Sequence, residues 1–477
     1  MGFVQRKKKF GESAAAQKMF VPSADDFMPQ NVAKFPEMEQ FPPQQERTIS
    51  VGILSAREVR FGFDSDFRCV VTGQIFGAGN HTATCVDGKI LFDGAEVQSL
   101  QFEPVAEQKA DCFEGNFCLF DVVIGIGFHW ERRENQFFKG ALKFLVDGDK
   151  LVAINVLCVE DYLYSVISSE MSATSSLELL KAHAVISRSW LLKPILDPEP
   201  SVTSPAVEPE SDVQIRWYER DAHALFDVCA DDHCQRYQGV GRVQTPLVKQ
   251  AVDATRGEVL TSDGHICDAR FSKSCGGISE RFECCWADVP HAYLQPVRDA
   301  VEGEMPDLTI EKNAERWIRT APAAYCNTKN LHILRQVLNN YDQETTDFYR
   351  WTVDYTAAQL SDLVRRKSGI DFGEITALEP VERGASGRLQ RLRIVGTKRT
   401  VVVGKELEIR RWLSESHLYS SAFVVDRTAD GFRLTGAGWG HGVGLCQIGA
   451  AVMGAQGFKY DEILKHYFVN SELKKLW

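Results

Sequence analysis

The chain has 477 residues, of which 44% are hydrophobic and 25% charged, the composition of an ordinary globular protein with length for roughly two to four domains. With 54 Lys and Arg against 65 Asp and Glu, its formal charge of −11 lacks the basic excess that draws proteins to phosphate backbones, so nucleic acid is not an expected partner. No run reaches the roughly 18 apolar residues of a transmembrane segment, and the opening MGFVQRKKKF has no apolar stretch of the kind a secretory signal needs. Thirteen cysteines are an odd count, which leaves at least one free, metal-bound or paired between chains.

Residues 1–47 carry Lys7, Lys8 and Lys9 and then scattered Pro, Gln and Met without periodicity, and are expected to be a disordered tail. From 48 to 158 short alternating runs predict strands, among them Ser50–Leu54, Lys89–Phe92, Asp121–Ile124 and Gly140–Val146. Residues 159–300 open with two helical signals. They continue through a Pro-rich insertion over 194–220, too rich in proline for a helix or central strand, and a Cys/His loop over 223–234. Residues 301–380 read as a helical insertion, as in Leu331–Leu338 and Ala357–Val364. Strands return in Leu392–Val395 and Thr400–Val403 within a C-terminal part, 381–477, that closes on a Gly-rich loop and a helix. Interleaved strands and helices make the fold class α+β, a mixed β-rich core with helices.

In VEDYLYSVISSEM, Leu163, Val166 and Ile167 share one helical face, and the next position on it is Glu170. A carboxylate where leucine is expected is either a tuned general acid or a group that snorkels or pairs at a helix end. The second helix is predicted to start at Ser175, three residues before Glu178 as in a capping box, with Leu177, Leu180, Ala184 and Leu191 as its apolar stripe. Arg188 interrupts that stripe. It either lines a cleft with Glu170 or belongs to a structural ion pair.

His223, Cys229, His233 and Cys234 form a Cys2His2 set within twelve residues that suits tetrahedral zinc, although adjacent His233 and Cys234 would strain a shared ion. Asp227 and Asp232 are alternative ligands, and a surface loop with ordinary thiols is the bland reading. Four protein ligands would close the site and make it structural. In GAGWGHGVGLCQIGA, glycines at 436, 438, 440, 442 and 444 allow close backbone approach without matching a phosphate loop.

The segment LCVEDYLYSVISSEMSATSSLELLKAHAVISRSWLL closely resembles the signature of the SpoIID/LytB family, the stage II sporulation protein D and amidase-enhancer proteins of bacteria. Asn155, Glu160, Asp161, Tyr162, Leu163, Ser169, Glu170, Met171, Lys181, Ala182 and Arg188 stand on matching positions. AVDATRG from Ala251, Cys275-Gly276-Gly277 and GWGHGVGLCQIGA from Gly438 resemble two further family blocks. The chain departs from the pattern at Ser172–Ser176, where the family has a Trp-Pro pair, and at Cys446, where Ser is common.

The resemblance implies a SpoIID-like fold with 159–300 as its catalytic region, and a lytic transglycosylase that cuts peptidoglycan glycan strands with Glu170 as acid and base. One carboxylate suffices for that reaction because the muramic acid 6-hydroxyl acts as internal nucleophile. Ser169, Arg188, Trp439, His441 and Gln447 are then candidate sugar contacts, with Cys275–Gly277 as a neighbouring wall. Some members carry zinc near the cleft, which supports the Cys/His set. The alternative implied by the family is a non-catalytic amidase enhancer that binds cell-wall glycan or an N-acetylmuramoyl-alanine amidase. Such a substrate implies the cell envelope or periplasm.

Overall fold

The structure is a computed structural model that describes residues 45–105, 117–125, 131–172, 175–200, 202–208, 210–218, 223–231, 233–242, 245–337 and 347–477. Most of the expected tail lies outside these residues, but Glu46 and Arg47 are bound into the fold. Glu46 Oε1 accepts from the Glu160 N–H at 3.1 Å, and Arg47 O accepts from the Val159 N–H at 3.0 Å.

Alternating apolar residues build two sheets from the first third of the chain. One runs, edge to edge, Val228–Cys229, Thr48–Ala56, Lys150–Cys158, Ala141–Asp147, Leu100–Pro104, Phe67–Cys69 and Ile75–Phe76; the other runs Arg132–Phe138, Phe117–Ile124, Glu58–Phe63, Gly79–Val86, Lys89–Phe92 and Ala95–Val97. Phe61 of the second sheet stands 5.7 Å from Phe102 and 5.2 Å from Phe144 of the first, so the inner faces meet through a phenylalanine core.

Strand Lys150–Cys158 feeds directly into helix α1, Val159–Glu170, and after a short turn the chain enters helix α2, Leu177–Leu196. Helix α2 is buried nearly all round, from Leu179 to Lys193, which makes it a central helix rather than an amphipathic surface one. Its cap is Ser176, whose Oγ accepts from the Leu179 N–H, and not Ser175 as expected. Ser175 Oγ instead donates to Gln336 O at 2.6 Å, and Glu178 accepts from Lys181 and from the Tyr460 N–H.

The expected loop from Pro194 also needs correction. Pro194 lies in the last turn of α2, and Val213–Ile215 is a strand that pairs in parallel with Thr400–Gly404. A proline at the end of a helix forfeits one donor only, and the Lys193–Asp197 ion pair at 3.0 Å secures the terminus. Between 301 and 380 the structure has the helices Glu311–Thr320, Leu331–Val337 and Ala357–Ser368, with strands Arg350–Thr356 and Ile375–Arg383 beside them. The α+β class stands.

Arg188, the charged residue of the second stripe, meets Glu160 of α1 and not Glu170. Arg188, 0% exposed, donates from Nε to Glu160 Oε1 at 3.1 Å and from Nη2 to Oε2 at 2.6 Å, while Nη1 donates to Glu258 O at 2.9 Å. Glu160 Oε1 also accepts from the Gly257 N–H at 3.0 Å and from Trp477 Nε1 at 3.1 Å. Breaking a buried pair by removing one partner strands the other charge and costs about 3–5 kcal/mol. Arg188→Met is therefore expected to lower the unfolding free energy by that order in urea titrations, with Glu160→Gln milder because its amide keeps an acceptor; an unchanged urea midpoint for Arg188→Met would refute the central role given to the pair.

Candidate active site

Glu170 is the last residue of α1, half-buried where Tyr162 to Ile167 of the same helix are fully buried. Its Oε1 accepts from the Arg236 N–H at 3.0 Å. Arg236 belongs to a short segment that lies along α1 and is fixed there residue by residue. Tyr162 OH donates to Gln235 Oε1 at 3.4 Å, the Gln238 N–H donates to Ser165 Oγ at 3.2 Å, and Tyr237 stacks on Tyr162 with ring centroids 5.2 Å apart. Tyr237 OH donates to Asn155 Oδ1 at 2.6 Å, and Asn155 in turn donates to Lys139 O. Asn155 and Tyr162 of the sequence motif are thus struts for the segment that holds the carboxyl.

The Cys/His loop lies immediately before that segment. His223, Cys229, His233 and Cys234 each offer an atom within 4.8 Å of the others. Cys234 Sγ lies 3.4 Å from His223 Nε2 and 3.5 Å from His233 Nδ1, and Cys229 Sγ lies 3.9 Å from His233 Nδ1. A tetrahedral ion with metal–sulfur bonds of about 2.3 Å and metal–nitrogen bonds of about 2.0 Å spaces its ligands by roughly 3.6 Å, so these residues fit a metal. Adjacent His233 and Cys234 both reach the centre, which removes the strain expected from the spacing. Cys234 beside it pulls the Cys229 thiol down to about 3, against the effect of burial. Asp227 is not part of the converging group, and its Oδ2 accepts from Ser50 N–H and Oγ, both at 2.7 Å. Asp232 lies outside the described residues.

The loop is anchored from below. Val228–Cys229 pairs in parallel with Val51 and Gly52, and a Cβ on Gly52 would come within 2.5 Å of the Phe226 ring. A cavity of about 710 Å³ opens beside it, walled by His223, Cys229, His233 and Arg236 together with Ile53 and Val122. Glu170 is not among its described lining residues, although Arg236, whose N–H holds the Glu170 carboxyl, is.

The remaining sequence candidates divide. Gln447, 3% exposed, is brought to the Glu170 turn. Its Nε2 lies 3.7 Å from Met171 Sδ and 3.1 Å from His183 Nε2, and His183 Nδ1 faces Ser187 Oγ at 3.2 Å. Ser169 is buried on α1 next to Glu170. Arg188, assigned to the sugar, is instead spent in the Glu160 pair. Trp439 and His441 make no hydrogen bond or ring contact with Glu170 among the described residues. Trp439 packs on Tyr419 and Phe348 at 4.3 and 4.8 Å, whereas His441 accepts from the Val443 N–H at 3.0 Å. Burial and the nearby Arg270 and Arg388 keep His441 neutral.

The glycine loop is a backbone joint. Phe271–Ser272 pairs in parallel with Leu445–Cys446, and Ser274 bridges Trp439. A side chain at Gly442 would meet the Arg388 guanidinium at 2.4 Å, and one at Gly444 would meet Arg270 O at 2.1 Å. Arg388, which the sequence did not single out, is 0% exposed and donates to Gly440 O at 3.0 and 3.1 Å and to Cys275 O at 3.0 Å, so one guanidinium ties both motifs together.

Burial and, to a lesser extent, Lys273 push His183 down to about 3. A folded pKa below the unfolded value means that only the unfolded chain takes up this proton, so the stability His183 contributes is present above about pH 6.5 and is lost as pH falls towards 3. We expect His183→Gln to flatten the fall in unfolding free energy between pH 6.5 and 4, read from denaturant titrations, by up to roughly 1.4 kcal/mol per pH unit. Parallel curves for variant and parent would show that His183 is not the neutral buried group described.

Comparison with known proteins agrees with the motif blocks. Residues 147–262 match the family described as stage II sporulation protein, and residues 280–444 match a domain of unknown function, DUF8618. An uncharacterized protein of Brachyspira hyodysenteriae is 27% identical over 332 residues, covering 69% of this chain and 70% of its own. The stage II sporulation protein D of Bacillus subtilis is 25% identical over 322 residues, 66% of this chain and 74% of the relative. The amidase enhancer of Bacillus subtilis is 22% identical over 333 residues, 65% of this chain and 40% of the relative. α1, α2 and the Cys/His loop all fall inside the 147–262 match, so this part of the chain is a domain of the stage II sporulation protein family.

Proposed function

We propose that the protein cleaves peptidoglycan glycan strands by lytic transglycosylation, with Glu170 as general acid and then general base. The observation that supports this most directly is the partly buried Glu170 at the end of a largely buried helix, its carboxyl oriented by the Arg236 N–H. The printed names of two relatives, stage II sporulation protein D and amidase enhancer, support a cell-wall role. Glu170 gives its proton to the glycosidic oxygen as the C1–O bond breaks. The carboxylate then accepts the proton of the muramic acid 6-hydroxyl while that oxygen bonds to C1, which regenerates the acid and closes a 1,6-anhydro ring without consuming water. Glycosidases that use water need a second carboxylate; among the described residues none is hydrogen-bonded to Glu170.

Glu170→Gln preserves size and the Arg236 contact but has no proton to transfer. Cleavage of stripped glycan strands is expected to fall about 100- to 10,000-fold with glycan binding kept. The parent's products, read by mass spectrometry, should be anhydro-muramic ends about 18 mass units lighter than hydrolytic ends. Near-parental cutting by the variant, or water-containing ends, would overturn the assignment. The second reading, a non-catalytic enhancer, is favoured by the relative of that name; it predicts no new glycan ends and a stimulated amidase.

In the same reading His223, Cys229, His233 and Cys234 hold zinc. With four protein ligands the ion would be structural and would fix the loop that presents Arg236. Cys229→Ser is expected to lose about one equivalent of metal and to lower the melting temperature, since binding energy at such a site is folding energy. Unchanged metal content and stability would sink this site.

A further inference from the structure

A second set of ligating groups lies beside the joint between the two glycine-rich motifs. Cys275, Asp299, Cys326 and Cys446 each offer an atom within 4.8 Å of the others, and all four are buried. They converge from distant positions. Cys275 follows strand Phe271–Ser272, Cys446 ends the neighbouring strand Leu445–Cys446, and Asp299 and Cys326 come from the 280–444 segment between them.

The geometry is that of ligands around an ion. Cys275 Sγ and Cys326 Sγ are 3.8 Å apart, far beyond the roughly 2.05 Å of a disulfide. It equals the spacing of about 3.8 Å that tetrahedral metal–sulfur bonds of about 2.3 Å impose on two thiolates. Three of the four ligand groups, those of Cys275, Cys446 and Asp299, are also held by further hydrogen bonds. The Gly277 N–H lies 3.4 Å from Cys275 Sγ and the Cys275 N–H 3.3 Å from Cys446 Sγ. Asp299 accepts from Tyr467 OH at 2.6 Å and from the Cys326 N–H at 2.8 Å. Gly449 leaves room for this, since a Cβ there would lie 2.3 Å from both Asp299 Oδ1 and the Tyr467 hydroxyl. Such outer contacts are what orient metal ligands.

Charge argues the same way. Among the described residues no cationic side chain forms an ion pair with Asp299, and the nearby Arg350 guanidinium is spent on the carbonyls of Gly276, Trp317, Ile318 and Tyr349. A buried aspartate with three buried thiols facing it is a donor set that a thiophilic divalent cation would fill.

We propose that Cys275, Asp299, Cys326 and Cys446 form a second closed metal site, which takes a soft divalent cation of the zinc class and ties the 280–444 segment to the two strands flanking it. Three thiolates select zinc over magnesium or calcium, and a complete protein ligand set makes the ion structural. Binding releases the thiol protons and forms metal–sulfur and metal–oxygen bonds without any change of oxidation state. The proposal does not rest on Glu170 or on the Cys/His loop.

The test is elemental analysis of the purified full chain and its variants. The parent should hold about one equivalent of zinc more than Cys446→Ser, which keeps the side-chain size and installs the residue common in the family, and Cys326→Ser should show the same loss. Cys229→Ser, which leaves this site intact, should still hold about one equivalent. Cobalt substituted into Cys229→Ser should show thiolate-to-metal absorption that disappears in the variant that also carries Cys446→Ser. A metal-free parent, a metal-free folded Cys229→Ser, an undiminished Cys446→Ser, or a Cys275–Cys326 disulfide found by peptide mass mapping would each overturn the proposal.

Discussion

The Glu160–Arg188 pair is the constraint around which the site is organised. Two opposite charges at 2% and 0% exposure are tolerable only when their hydrogen-bonding capacity is filled, and here it is filled by partners from four parts of the chain. The two helices supply the pair, Gly257 and Glu258 supply backbone groups at the start of the next strand, and Trp477 supplies its indole N–H near the C-terminus. Satisfying one buried carboxylate therefore fixes the rotation of α1, and that rotation decides where Glu170, ten residues on, emerges. A motif that carries both Glu160 and Glu170 couples a structural carboxylate to an accessible one.

What α1 positions, the 235–238 segment refines. Glu170 lies at the end of its helix, where side chains have the freedom that fraying allows, and a backbone N–H is a less mobile partner than a long side chain would be. That N–H is only as fixed as the loop preceding it. A metal held by His223, Cys229, His233 and Cys234, as proposed above, would steady the segment that carries Arg236. On the other side, Gln447 presses on Met171 and is itself held by neutral His183, so two unrelated loops converge on the turn after Glu170.

Local signals were legible in the sequence. The alternation in Lys89–Phe92 and the helical face ending at Glu170 are properties of adjacent residues, and the structure places both as read. The Cys/His set was legible because its members lie within twelve residues. Long-range pairing was not. Arg188 offered two readings, and only the approach of Glu160, 28 residues away, decides between them. Arg388 reads as an ordinary strand arginine, and its partners at Cys275 and Gly440 are 113 and 52 residues distant. The capping residue slipped by one position because Ser175 and Ser176 are chemically equivalent until Gln336, from another helix, claims one of them.

The same reasoning bears on Cys446. Taken alone, the departure at Cys446 exchanges one small side chain for another at the cap of a helix. Its neighbours change that view, because Cys275 and Cys326 are also cysteines and reach the same point from positions that no local pattern connects. A lone buried thiol is a small apolar group. Three thiols gathered on one buried aspartate are not, for each added polar group raises the cost of leaving the cluster uncompensated. The exchange at Cys446 is therefore best understood together with the 280–444 segment, which contributes Asp299 and Cys326: a chain that carries this segment between its two glycine-rich motifs has to fasten it at both ends, and the ends are where Cys275 and Cys446 stand.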